Sequence, residues 1–130
     1  MKTHYAQKPN KIEIINVDDK DLIYVRENIE EETLSTEGSE TTGYIADEYF
    51  MTLPHPATGS YEEYLSSAKS MEIESLSKIA RERRDKLLSE TDYLALSDQT
   101  MPENVKSYRQ ALRDIPEQSG FPYEINWPQL

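Results

Sequence analysis

The chain has no cysteine, and only four glycines, two phenylalanines and one tryptophan among its 130 residues. Without thiols there are no disulfide staples and no thiolate metal sites. None of the glycines belongs to a loop that cradles phosphate, and no Walker loop, dinucleotide fingerprint or GxSxG elbow occurs. Basic residues are also scarce: 14 Lys and Arg against 25 Asp and Glu leave a net charge of −11. Phosphate backbones and anionic bilayers both need a basic footprint, so neither nucleic acid nor a membrane surface is expected as a partner. No apolar run approaches the ~20 residues of a membrane span. The opening segment MKTHYAQKPNK lacks the apolar core of a secretory signal. A cytoplasm or an assembled particle is the expected setting.

Apolar residues make up 36% of the chain and charged residues 30%, a balance that buries little surface against the entropy of ordering. The length suits one ordinary domain or two small modules. The expectation is a small, elongated α+β protein that leans on partners for part of its stability.

Residues 1–10 are polar and read as an arm. Ile12–Val17 and Leu22–Val25 are β-branched runs around Asp18-Asp19-Lys20-Asp21, which predicts a hairpin. A lone hairpin is marginal in water, so it should pair with Tyr44–Leu53, itself readable as a strand or a short helix. Residues 28–43, NIEEETLSTEGSETTG, have the composition of a disordered linker or long loop. A neighbouring chain is the favoured means of ordering them.

Pro54-His55-Pro56-Ala57-Thr58-Gly59 breaks the chain and divides residues 1–58, β-rich, acidic and partner-binding, from a helical module at 60–130. Ser60 and Glu63 form a capping box for a helix running to about Ser89. Tyr61, Leu65, Ala68, Leu76, Ile79, Ala80 and Leu87 share one face of it. Glu72 and Arg83 interrupt this stripe; they either reach past the seam to water or set register with a partner helix. Thr91-Asp92 ends the helix, with Asp92 a candidate cap for the next turn. Thr100 and Glu103 suggest a second capping box, followed by the stripe Met101, Val105, Tyr108, Leu112 and Ile115. Pro116 stops this second helix, completing a helical hairpin. Gly120 and Pro122 turn the chain into an extended aromatic arm, Tyr123–Trp127. A small core of Leu87, Leu88, Leu94, Leu96, Tyr108, Leu112, Ile115, Phe121 and Trp127 would hold this hairpin. The upper half of the long helix would have no internal partner.

Reaction chemistry finds little support. His4 and His55 lack a second histidine at metal spacing and read as solvated. Asp18-Asp19-Lys20-Asp21 lacks the alternating oxygens, central Gly and terminal Glu of a calcium loop, so turn chemistry explains it better. With 25 acidic residues, neighbouring carboxylates arise by chance and do not specify a glycosidase pair. Arg81, Arg83 and Arg84 read as a solvated helix face or a contact to an acidic neighbour. No catalytic residue, metal or cofactor is assigned. The nine tyrosines are more informative, because tyrosine is enriched at interfaces. Tyr44, Tyr49, Phe50, Tyr61, Tyr64, Leu65, Glu72, Leu76 and Arg83 are the expected partner-binding residues, and a second copy of the chain is among the candidate partners.

From about Ile79 to Pro128 the sequence resembles the phage tail assembly chaperone family. Arg84-Asp85-Lys86-Leu87-Leu88 is similar to the family's Arg-Asp-x-Leu-Leu, and Thr91-Asp92-Tyr93 to its Thr-Asp-Trp, with Tyr in place of the usual Trp. Tyr108 to Ile115, including Arg109 and Leu112, is close to its most recognisable run, and Phe121-Pro122 and Trp127-Pro128 match its closing pairs. Leu96-Ser97-Asp98 departs from the common Leu-Pro-Asp. The resemblance implies a non-enzymatic phage tail role with a tail fibre or baseplate protein as partner. Of the two forms of that role, a component retained in the virion tail is favoured, because a neighbouring chain would then order the acidic tract. A transient assembly chaperone, acting in the host cytoplasm and absent from the finished particle, is the alternative.

Overall fold

A computed structural model describes all 130 residues. Its contacts cluster into two compact units, Met1–Glu72 and Ile73–Leu130. Strands β1 (Lys2–Tyr5), β2 (Ile12–Val17), β3 (Lys20–Thr36) and β4 (Ser39–Pro54) form one antiparallel sheet in the order β1-β4-β3-β2. Helix α1 spans Tyr61–Ser89 and α2 spans Glu103–Arg113, with short 3-10 turns at Asp92–Ala95 and Ile115–Glu117. The class is α+β, as expected.

In the first unit the expected hairpin forms: Val17 pairs with Lys20 across a two-residue turn in which Asp18 takes φ +59°. Tyr44–Leu53 lies within β4 and is strand rather than helix. Alternation then sends Ile23, Val25, Tyr49 and Met51 to one face of the sheet. Tyr64 and Ala68 from the first turns of α1 cover that face and complete a buried cluster. Fully burying Ile23 or Val25 contributes roughly 1.5–3 kcal/mol each.

Three expectations need correction here. Residues 2–5 are not an arm; they are β1, paired with β4 from Lys2↔Asp47 to Tyr5↔Tyr44. The acidic tract is neither linker nor loop, because β3 and β4 pair through it as far as Thr36↔Ser39. Glu30, Glu31 and Glu32 face Ile45, Tyr44 and Gly43, so none of these three stands directly opposite another carboxylate. Gly38, at φ +86°, supplies the left-handed position of the closing turn. The division between units falls inside α1 rather than at the Pro54–Gly59 breaker, because the first turns of the helix pack on the sheet.

The breaker itself is tied down by Asp21. This buried carboxylate accepts hydrogen bonds from Asn16 Nδ2 (2.9 Å) and the Ala57 amide (2.8 Å), and lies 3.0 Å from His55 Nδ1. His55 is therefore a partner of Asp21, not a free histidine. The Asn16 and Ala57 donors, with His55 after them, hold the Asp21 carboxyl below the usual aspartate range in spite of its burial. A depressed folded pKa stabilises the fold above the unfolded value of about 3.9 and is lost as pH falls through the folded one. Asp21→Asn is accordingly expected to melt below wild type at neutral pH. The difference should shrink in acid, and thermal melts at pH 7 and pH 3 check it. A gap that stays constant with pH would refute the linkage.

In the second unit Ala80, Val105, Leu112 and Ile115 are buried, with Leu87, Leu88, Leu94, Tyr108, Phe121 and Trp127 half-buried. Leu96 was expected in this core but is 59% exposed, since the chain is extended there as it leaves the 3-10 turn. The Ser60–Glu63 capping box forms in both directions. The Thr100–Glu103 box does not: extended Pro102 occupies the cap position, α2 starts at Glu103, and Glu103 pairs with Lys106 instead. Asp92 caps nothing either, because its carboxylate is engaged by Arg109.

Candidate interaction surfaces

Most of the expected partner-binding residues are already committed within the chain. Tyr64 is buried, with the Gly59 amide donating to its hydroxyl at 2.6 Å, so it is core rather than contact surface. Tyr61 donates to the Arg26 carbonyl at 2.9 Å, and Leu65 packs half-buried against the same core. Tyr49 donates to Glu27 and carries the Lys69 ammonium 5.4 Å from its ring centre. Tyr44 is half-buried on the other face of the sheet. The two polar interruptions of the α1 stripe have internal partners too. Glu72 binds the Met1 ammonium at 3.3 Å, and Arg83 stacks 4.2 Å from the centre of the Trp127 ring. Neither one requires another helix to satisfy it. The stripe is likewise partly covered from inside, since Ala68 and Ala80 are buried and Leu76 is half-buried.

Two apolar surfaces remain open. The first is the face of the sheet opposite the helix. The pairs Ile15↔Leu22, Leu22↔Thr52 and Tyr24↔Phe50 place these side chains in one patch. The Tyr24 and Phe50 rings meet at 5.1 Å, yet Phe50 stays half exposed, as do Ile15 and Val17. Beside this patch lies a polar cluster built on Arg26, which is 5% exposed. Its Nε donates to Glu48 at 2.7 Å and Tyr5 at 2.8 Å, Nη2 to Glu13 at 2.9 Å, and Nη1 to the Asn10 carbonyl at 3.1 Å. Burial works against the Arg26 charge, but the Glu13, Glu48 and Tyr5 bonds outweigh it and raise its pKa further. The Tyr5 hydroxyl, which donates to Glu48, is pushed up chiefly by burial and then by that carboxylate.

The second surface is a groove of about 330 Å³ in the C-terminal unit, between the Leu76, Ile79 and Arg83 face of α1 and the Tyr123–Trp127 segment. Ile79 and Tyr123 are more than half exposed at its rim. Arg81 extends the same theme, lying 5.7 Å from the Phe121 ring, while Arg84 pairs with its neighbour Asp85. No group of three or more metal-binding side chains converges anywhere in the chain. No helix is long and apolar enough to cross a membrane.

What sequence reasoning missed is the role of the buried arginines. Arg109 is 8% exposed and donates to the Leu88 carbonyl (2.8 Å), Thr91 Oγ1 (2.6 Å) and Asp92 Oδ1 (2.8 Å). It thereby caps the C-terminal end of α1 and fixes the following turn from the middle of α2. Leu88, Thr91, Asp92 and Arg109 come from separate stretches of the motif quoted above, and the fold brings them onto one guanidinium.

No curated protein and no solved structure matches the chain. The family model described as phage tail assembly chaperone protein matches residues 77–130, the stretch held by the Arg109 clamp and flanking the aromatic groove, so the C-terminal part of the chain is similar to this family.

Proposed function

We propose that the chain is a non-enzymatic phage tail assembly chaperone that acts in the host cell while tails are built and leaves before the particle is complete. The observation that carries this is the family match over residues 77–130. Retention in the virion was favoured on one ground, that a neighbouring chain was needed to order residues 28–43. That ground is gone, because β3 and β4 order the tract through their own pairing. The client proposed is a tail fibre or baseplate protein, held by its apolar surface against the Ile79 groove and the Phe50 patch.

Mass spectrometry of purified mature particles should find no stoichiometric copy of the chain. Co-expression should raise the soluble yield of the client. Ile79→Lys should abolish that gain while shifting stability by less than about 1 kcal/mol, since the side chain is largely in water. A stoichiometric copy in mature particles would refute departure, and full client rescue by the variant would refute the groove.

A further inference from the structure

We propose that two copies of this chain associate by antiparallel pairing of their β2 strands about Ile14. Strand β2 is the edge of the sheet, and only its Ile12 side chain is appreciably covered. The Arg26 amide donates to the Lys11 carbonyl, and the alternation of an antiparallel ladder then turns the amide and carbonyl of Ile12, Ile14 and Asn16 outward. Little blunts this edge: the run Ile12–Val17, IEIINV, has no lysine, no proline and no bulge, and its one charge, Glu13, is paired with Arg26. It is apolar on both sides, with Ile14 45% exposed on the helix-side face and Ile15 and Val17 exposed on the other.

The outward residues are symmetric about Ile14, and this selects the occupant. An antiparallel twofold pairing sets Ile14 opposite its copy and Ile12 opposite Asn16, so every outward backbone group of the strand finds a partner. Glu13 then faces Ile15 rather than another carboxylate, and it is already held by Arg26. The ends are complementary in charge. Exposed Lys8 and Lys11 precede the strand, and exposed Asp18 and Asp19 follow it, leaving that end net acidic even with Lys20 beside them. Antiparallel pairing brings the basic end of one copy to the acidic end of the other, twice. Parallel pairing would set like charges together. A slip that put Glu13 against its copy would oppose two carboxylates. The result is one continuous sheet carrying two Phe50 patches, which extends the proposed client surface without depending on it.

The test uses the purified full-length chain alone, so it is independent of any client. Sedimentation equilibrium should show a concentration-dependent species of twice the 15.1 kDa chain mass. Ile14→Lys places two ammonium groups face to face on the twofold axis and should leave only monomer, with unchanged circular dichroism. Lys11→Glu should weaken association roughly tenfold or more. Adding Asp19→Lys to it should restore association. A wild-type chain that stays monomeric, or a dimer that survives Ile14→Lys in a folded chain, overturns the proposal. Should Ile14→Lys fail to fold, the Lys11 and Asp19 pair decides: no weakening and no rescue overturns it equally.

Discussion

Arg109→Ala is expected to cost the chain about 2–4 kcal/mol, since a buried cation with several charge-assisted or carbonyl bonds is removed and the Leu88 carbonyl and Thr91 hydroxyl lose their shortest donor. The Leu88 carbonyl belongs to the last turn of α1, beyond the reach of the i→i−4 ladder. The Thr91 amide and hydroxyl donate to it at 3.2 Å, Arg109 adds the shorter, charged bond, and Thr91 is buried. Water reaches neither as readily as it reaches Asp92, whose side chain is 62% exposed. Asp92→Ala should therefore cost much less, about 1 kcal/mol or below. Arg109→Lys should recover only part of the loss, because one ammonium cannot reproduce a planar fork that spans three acceptors. Trp127 is the one tryptophan in the chain and lies in the same unit, so urea titrations followed by its fluorescence report this unit directly. Equal losses for Arg109→Ala and Asp92→Ala would mean that the exposed ion pair, not the cap on α1, is what matters.

This clamp shows where a sequence stops being readable. Most local signals correspond to observed features, among them the β-branched runs around Asp18-Asp19, the Ser60–Glu63 capping box, and the Val105, Leu112 and Ile115 stripe, whereas the Thr100–Glu103 box and the Asp92 cap do not. Each is decided by residues a few positions apart. The acidic tract was misread because its composition favours solvation, while its pairing depends on which neutral residues stand opposite each glutamate, and that is set by register. A signal was present in Glu37-Gly38, a turn centre flanked by threonines that suit a ribbon. Glu72 and Arg83 were offered to a partner helix for a similar reason. Their partners, the N-terminal ammonium and Trp127, are 71 and 44 positions away in the sequence and carry no local mark. The contact surface was legible as a class, through surplus aromatic residues, but not residue by residue. Tyr64 and Phe50 look alike in sequence, and the period-2 and period-3.6 patterns send one to the core and leave the other in water.

The same reasoning makes Arg26 the most sensitive position in the N-terminal unit. Its partners come from β1, β2 and β4 and from the segment before β2, so a single side chain ties together every strand of the sheet. Arg26→Met keeps the length and the apolar stem but leaves Glu48 largely buried without a counter-charge, and is expected to cost about 3–5 kcal/mol. The loss should not be shared evenly among the acids. The Glu48 side chain is 15% exposed and that of Glu13 49%, so Glu48→Gln should destabilise more than Glu13→Gln. The decisive variant is the double substitution Arg26→Met with Glu48→Met. If the cost of Arg26→Met is mainly a stranded carboxylate, removing that carboxylate should return a large part of the stability, since well-packed apolar replacements of buried ion pairs are often close to neutral. Thermal melts followed by far-ultraviolet circular dichroism measure these four variants and the single Glu48→Met that completes the cycle. Additive losses in the double variant would show instead that Arg26 acts through its packing against the Tyr5 and Tyr24 rings, 5.2 and 5.8 Å from its guanidinium carbon.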